Sequence, residues 1–293
     1  MVKYPISADN PYHYESLDVG DTNMAYIGVG GGDPIILLHG NPTSSYIWRN
    51  IIPYLESQGR CLAPDLIGMG QSGKSPGNAY RFSDHIAYIE DWLSNVAPNE
   101  SLTFVVQDWG AALAFDWSNR HRERVKAICY MEAMVRPRKW TDLPEPYEKT
   151  FRGFRTEDGK RKALEANLFV EKVLPNGVAR KLTSAEMAVY RAPFQNLPDR
   201  LPTIMFPIEI PFDGEPADNF KRIKSYSEWL ATCDIPKLFV NTSDGHALIG
   251  PNREFCRAWP NQQEITLQGK HYIQEDSPRE LGEAVAKWYR SLG

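Results

Sequence analysis

Cysteine is scarce in this chain, and its placement excludes two chemistries. Four residues, Cys61, Cys129, Cys233 and Cys256, are scattered with no C-x-x-C pair, so neither a thiolate zinc site nor a disulfide framework is indicated. Three of them lie beside apolar segments or at strand ends, where a small buried thiol is common. No apolar stretch approaches the ~20 residues that a membrane span needs, and residues 1–10 hold no run long enough for the core of a signal peptide. The expectation is a cytoplasmic protein with no membrane partner. Neither sign of charge dominates: 33 Lys and Arg stand against 37 Asp and Glu, without the dense cationic face that would neutralise a phosphate backbone, so nucleic acid is not an expected partner. Internal repeats and low-complexity segments are missing as well.

What the 293 residues do contain is a rhythm of short apolar runs. Pro34-Ile35-Ile36-Leu37-Leu38 is continuous and ends at His39-Gly40, which suits a strand buried on both faces of a parallel sheet. The pattern recurs at residues 60–63, 102–106, 125–130, 237–240 and 264–267, with helical stretches between most of them. A right-handed βαβ succession is implied, hence an α/β fold with a mostly parallel central sheet. Near the end, Ser277-Pro278-Arg279-Glu280 reads as a capping box with proline at the first helical position. Leu281, Val285, Trp288, Tyr289 and Leu292 then mark one apolar face. Over residues 136–213 the rhythm stops, and the segment is rich in proline, aromatic and charged residues, with helical patches such as 160–172. This predicts a helical cap at 136–213 inserted into a core built from 1–135 and 214–293. An insertion at the C-terminal edge of a parallel sheet lies over the place where such folds bind ligands.

The chemistry is concentrated at strand ends. Val105-Val106-Gln107-Asp108-Trp109-Gly110-Ala111 has the layout of a nucleophile elbow, with Asp108 at the apex where serine is usual and Val106 where the first glycine would stand. The bland alternative is an aspartate capping the following helix. A carboxylate is ionised at neutral pH and attacks carbon without first losing a proton, but the ester it forms needs a general base for hydrolysis. Of the six histidines, His271 fits that role, because it follows the last strand after Gln268-Gly269-Lys270 and obeys the order nucleophile before histidine. His246, in a loop before that strand, is the rival. His13 lies near the start of the chain, and His85 and His121 fall in helical, charged surroundings. The base needs an acid to orient it, and two strand ends supply one, Glu132 after Tyr130-Met131 and Asp244 in Thr242-Ser243-Asp244-Gly245; charge and position do not separate them, and the latter is equally good turn chemistry. In His39-Gly40-Asn41-Pro42, the tight turn suits an oxyanion loop. Asn41 and Trp109 add two neutral N–H donors that can neither lose nor accept a proton at neutral pH. Such donors beside a nucleophilic carboxylate suit a departing anion that wants hydrogen bonds and no proton, such as a halide.

These segments together resemble the haloalkane dehalogenases. The likeness is carried by residues 38–46 (Leu38-His39-Gly40-Asn41-Pro42 onward), Ala63-Pro64-Asp65-Leu66-Ile67-Gly68-Met69-Gly70, Gln107-Asp108-Trp109-Gly110, Met131-Glu132 and His271-Tyr272-Ile273-Gln274-Glu275-Asp276. It implies the α/β-hydrolase fold, Asp108 as nucleophile, His271 as base, and Asn41 with Trp109 as halide clamp. The branch with asparagine after the first apolar strand keeps its acid after the strand that follows the nucleophile, which favours Glu132. By the same similarity, Phe151, Phe154, Phe169, Pro207, Leu248 and Tyr272 are expected to line a largely hydrophobic substrate pocket. The implied reaction needs no metal or organic cofactor, and the implied partners are a small apolar halogenated substrate and halide, handled by a monomer or weak homo-oligomer. One departure is Gln107, where relatives often have histidine; no catalytic consequence is expected of it. Epoxide hydrolases resemble the chain in the turn, elbow and histidine, and Tyr147 and Tyr190 would be their cap proton donors, but Asn41 and Trp109 fit a halide better. Monooxygenases of the coelenterazine luciferase kind share the triad and clamp positions, and a receptor that binds without turnover is a further reading, against which the complete set of reactive positions argues.

Overall fold

The computed structural model describes residues 5–293. Its centre is an eight-stranded sheet of order β1-β2-β4-β3-β5-β6-β7-β8, formed by β1 (Tyr14–Val19), β2 (Thr22–Val29), β3 (Pro34–Leu38), β4 (Arg60–Pro64), β5 (Leu102–Gln107), β6 (Val125–Met131), β7 (Lys237–Thr242) and β8 (Gln262–Leu267). From β4 to β8 every pairing is parallel. Every residue of β3 and β5 is buried, as continuous apolar strands covered on both faces must be. The two strands that no apolar run announces, β1 and β2, form an antiparallel hairpin around Gly20-Asp21, and β2 pairs antiparallel with β4. β1 lies at the sheet edge with much of its length exposed, so it needs no continuous apolar sequence.

Helices α1 (Phe82–Val96) and α2 (Trp109–Arg120) connect strands of the core, and α2 packs against both α1 and the later α8. Between β6 and β7 the chain runs through α3 (Glu145–Gly153), α4 (Glu157–Glu165), a π-helical turn at Phe169–Val173 leading into α5 (Leu174–Asn176), α6 (Ser184–Arg191), α7 (Leu201–Glu209) and α8 (Ala217–Leu230). The helix expected over 160–172 is broken: α4 ends at Glu165, and Asn167 takes φ 45°. Asparagine tolerates this left-handed conformation better than most residues, and it stops the helix before the π turn. The core closes with α9 (Gly250–Arg257), α10 (Ile273–Asp276) and α11 (Pro278–Arg290). The expected capping box of α11 does not form. Ser277 stands at the N-cap, but its hydroxyl donates to the Gln268 carbonyl at 2.6 Å, tying the helix to the end of β8. The apolar face does form, with Leu281, Val285 and Trp288 buried and Tyr289 and Leu292 packed beside them. Among the described residues no helix is long and apolar enough to cross a membrane.

A buried ionic network joins the helical segment between β6 and β7 to the stretches that follow β3 and β8. Arg49, wholly buried, donates to Glu275 at 2.7 and 3.0 Å and to Glu186 at 2.8 Å. Arg180 also pairs with both carboxylates, and the Tyr190 hydroxyl donates to Glu275. Arg49 and Glu275 belong to the core, whereas Arg180, Glu186 and Tyr190 come from the segment between β6 and β7. Two guanidinium groups balance two carboxylates, and the hydrogen bonds offset the cost of removing four charges from water. Arg49→Met should therefore leave Glu275 and Glu186 underpaired and cost about 3–5 kcal/mol, measured by denaturant unfolding. A loss below about 1 kcal/mol, the range of exposed pairs, would show that the network does not hold the two parts together.

Candidate active site

The parallel strands deliver their loops to one edge of the sheet, and the groups singled out above stand there. β5 ends at Gln107, and Asp108 turns the chain into α2 with φ 54° and ψ −126°. A non-glycine residue is strained in this region. The bend is held because the Asp108 carbonyl accepts from the Ala111 N–H at 3.1 Å. The Asp108 side chain does not cap the helix; its Oδ1 accepts from the Asn41 N–H at 2.8 Å instead. Two glycines let the turns approach this closely. A Cβ on Gly40 would come within 2.3 Å of Asp108 Oδ1, and one on Gly110 would lie 2.4 Å from the Leu38 and His39 carbonyl oxygens.

His39 shapes the loop after β3. Its Nε2 accepts from the Leu66 N–H at 2.9 Å, so the ring proton sits on Nδ1, 2.9 Å from the Gly40 carbonyl. Burial keeps this imidazole neutral, lowering it from 6.5 to about 4. Asp65, in the same segment as Leu66, accepts from the Ser45 N–H at 2.6 Å and the Gln71 N–H at 2.7 Å. The His-Gly turn and the Ala63–Gly70 stretch thus work as one scaffold for the Asn41 N–H.

His271 follows β8 and faces two carboxylates. Its Nδ1 is 3.0 Å from Glu132 Oε2, and its Nε2 is 3.5 Å from Asp108 Oδ2, long for a hydrogen bond but close enough for charge to act. Burial works against the charged ring, and Asp108 and Glu132 outweigh it, raising the imidazole from 6.5 to about 9. Glu132, directly after β6, is buried at φ 45°. Its carboxylate also accepts from the successive N–H groups of His246, Ala247 and Leu248 at 2.6, 2.9 and 3.3 Å, and from the Thr242 hydroxyl at 3.2 Å. Burial alone would raise Glu132, but His271 and these N–H groups overcome it and lower the carboxyl to about 2. Asp244 is exposed. The turn that carries it contributes backbone N–H groups to Glu132, and a Cβ on Gly245 would fall 2.4 Å from Glu132 Oε1. The His246 ring is exposed and stacks on the His271 ring at 6.3 Å. Gln107 is fully buried, with its Nε2 3.0 Å from His271 Nε2.

The side chains of Asn41 and Trp109 are set largely by helices between β6 and β7. The Asn41 amide donates through Nδ2 to the Thr203 carbonyl at 2.9 Å. That carbonyl is free because the residue four positions later in α7 is Pro207, which has no N–H to return. The second Asn41 N–H remains available. Trp109 packs its indole on Phe206 at 5.0 Å and Phe82 at 5.3 Å, and among the described residues its N–H has no acceptor. Glu209, at the end of α7, accepts from the Phe82 N–H at 3.1 Å, from Arg81 at 3.2 Å and from Asn219 at 2.8 Å. This locks α7 to the starts of α1 and α8. Phe82, Thr203 and Phe206 carried no sequence signal of a site, since each reads as ordinary core or helix.

The six expected lining residues fall into separate groups. Phe151, Phe154 and Phe169 form an aromatic cluster within the insertion, with ring separations of 5.9 and 5.5 Å, together with Ala163 and Ile204. Pro207 follows Phe206 on α7. Leu248 lies beside Glu132, to which it donates. Tyr272 is a brace, its hydroxyl donating to the Asn41 carbonyl at 2.8 Å while its ring meets His271 edge-on at 4.7 Å. The epoxide-type proton donors are not offered: Tyr147 is 58% exposed, and the Tyr190 hydroxyl is committed to Glu275.

Residues 33–278 match the family model of the alpha/beta hydrolase fold. A haloalkane dehalogenase of Sphingobium indicum is 47% identical over 280 residues, 94% of this chain and 95% of its own. One from Mycolicibacterium smegmatis is 44% identical over 281 residues, covering 94% and 90% respectively. The crystal structure of a haloalkane dehalogenase from Bradyrhizobium elkani superposes with a TM-score of 0.90 at 40% identity, covering 96% of this chain and 98% of that one. A putative ancestral haloalkane dehalogenase gives 0.90 at 42% identity, covering 95% and 99%. With fold, strand-edge carboxylates and near full-length similarity in agreement, this chain belongs to the haloalkane dehalogenases, hydrolases of the carbon–halogen bond.

Proposed function

We propose that Asp108 is the nucleophile of this dehalogenase, His271 its general base, Glu132 the acid that orients the base, and Asn41 with Trp109 the halide clamp. The observation that carries the reading is the division of labour at Asp108: one carboxylate oxygen is held by the Asn41 N–H, while the other faces an imidazole that Glu132 backs at 3.0 Å. Asp108 Oδ2 attacks an sp³ carbon, the carbon–halogen bond breaks, and its electron pair leaves with the halide. The free N–H of the Asn41 amide and the Trp109 indole N–H receive that anion, which needs hydrogen bonds and no proton.

The product of this step is an alkyl ester of Asp108. Esterification cancels the charge that helped to hold His271 protonated, so the ring sheds its proton more readily and an unprotonated Nε2 is available when the base is needed. A water oxygen then adds to the ester carbonyl carbon as its proton passes to His271 Nε2. The oxyanion forms at the oxygen already held by the Asn41 N–H, with the first N–H of α2 beside it. Collapse expels the alkoxide, which takes a proton and leaves as the alcohol. The sum is R–X + H2O → R–OH + H⁺ + X⁻. Small, apolar halogenated substrates suit an apolar site in which Tyr272 and Leu248 flank His271 and Glu132, with the Phe151, Phe154 and Phe169 cluster and Pro207 in the helices between β6 and β7.

Incubation with 1-bromobutane while halide release is measured tests the roles. Asp108→Ala should release none, and His271→Phe should release at most one equivalent and retain an alkyl ester on Asp108, detectable by mass spectrometry of the peptide; an unmodified Asp108 in that variant would end the two-step scheme. Glu132→Gln should lower steady turnover by about 10²-fold or more, in line with general acid–base contributions, whereas Asp244→Asn should leave it nearly unchanged. The reverse ranking would move the acid to β7. Asp108→Asn removes one flanking charge, so the His271 pKa, near 9 in the native protein, should fall when followed by NMR. An unmoved titration would mean that the Asp108 charge does not reach the ring.

A further inference from the structure

Gln107 ends β5 and is fully buried, with its carboxamide against the ring and the backbone of His271. Nε2 of the amide lies 3.0 Å from His271 Nε2 and 3.2 Å from the His271 carbonyl oxygen. A carbonyl can only accept, so the amide nitrogen must face it, and the two hydrogens of that nitrogen serve both neighbours. A donor aimed at His271 Nε2 requires a lone pair there. In the neutral ring the one proton then sits on Nδ1, where Glu132 Oε2 lies 3.0 Å away. Gln107 Oε1 is buried with no partner, so the amide is oriented by what its nitrogen donates to.

We propose that Gln107 is a positioning residue which holds His271 as the Nδ1–H tautomer, its amide N–H keeping the Nε2 lone pair exposed until the hydrolytic water displaces that N–H and passes its proton to Nε2. This rests on the reading of His271 as general base. Four other groups face the ring: Asp108 Oδ2 at 3.5 Å, Glu132 at 3.0 Å, the stacked His246 ring at 6.3 Å and the edge of Tyr272 at 4.7 Å. Asp108 and Glu132 favour the imidazolium. Gln107 opposes them, because a proton on Nε2 would meet the hydrogens of the amide instead of accepting from them. Once Asp108 is esterified, Glu132 is the one carboxylate left on the ring, and the Gln107 donor tips it towards the neutral base.

The test separates the two half-reactions. Rapid mixing with 1-bromobutane resolves alkylation from ester hydrolysis across the pH range in which imidazole titrates. Gln107→Leu, which has no donor, should slow hydrolysis more than alkylation and move the acid limb of hydrolysis to higher pH by about one unit, as the loss of one hydrogen bond to a single protonation state implies. Gln107→Glu, nearly isosteric and able to accept, should move it further the same way. Gln107→His, which again presents an N–H, should restore the native limb. The proposal is overturned if the acid limb stays in place in Gln107→Glu, or if alkylation and hydrolysis fall in parallel in both variants and histidine gives no rescue. Gln107→Glu also carries the test should Gln107→Leu fail to fold. Failure of the base reading looks different: His271→Phe would then accumulate no alkyl-enzyme, whereas trapping in that variant with an immobile pH limb at position 107 sinks the Gln107 assignment alone.

Discussion

A left-handed bend at a residue with a side chain costs about 1–3 kcal/mol, and the bend at Asp108 governs where the other groups can stand. It lifts a carboxylate above the ends of β3, β5 and β6, and it can be reached only by a loop that approaches without a Cβ. Gly40 provides that approach from β3, and Gly110 lets α2 start against the same strand. The Asn41 N–H on Oδ1 is the result. Strand burial is what sustains the strain, because β3 and β5 are covered completely and leave the turn no room to relax.

The electrostatics follow from that geometry. One imidazole stands between two carboxylates that are treated differently by the protein. Glu132 is enclosed and accepts hydrogen bonds from Thr242, His246, Ala247 and Leu248, which hold its carboxyl ionised. The Asp108 side chain keeps 21% of its surface accessible, with one oxygen held by the Asn41 N–H and the other 3.5 Å from His271 Nε2. In the proposed mechanism, a charge that is present before alkylation and absent after it gives His271 different proton affinities in the two halves of the cycle.

The inserted helices are part of the site's construction. Pro207 deprives the Thr203 carbonyl of its helical partner, and the Asn41 amide takes the vacancy. Phe206 from the same helix backs the Trp109 indole, and Glu209 fastens its end to α1 and α8. Orientation of the two neutral donors therefore depends on one helix, while the Arg49–Glu275–Glu186–Arg180 network and Tyr190 fasten the neighbouring segment that carries α6.

Much of this was legible before any coordinates. Continuous apolar runs ending in Gly, Asp, Glu or His announced a parallel sheet and the loops at its edge, because burial on both faces forces such composition and parallel strands point their ends the same way. The hairpin of β1 and β2 was missed, although Val19-Gly20-Asp21-Thr22 offers a two-residue turn, since a half-exposed edge needs no apolar run. The capping box at Ser277 and an unbroken helix over 160–172 were also expected, and a hydroxyl drawn to Gln268 and a left-handed Asn167 replaced them. Local sequence by itself determined the reactive residue types and the order in which they emerge, since valence, charge and strand burial are properties of short segments. Only the tertiary structure decided that Glu132 rather than Asp244 reaches His271, that Gln107 lies on the same ring, and that Thr203 turns the Asn41 amide, because each of these contacts joins residues far apart in the chain.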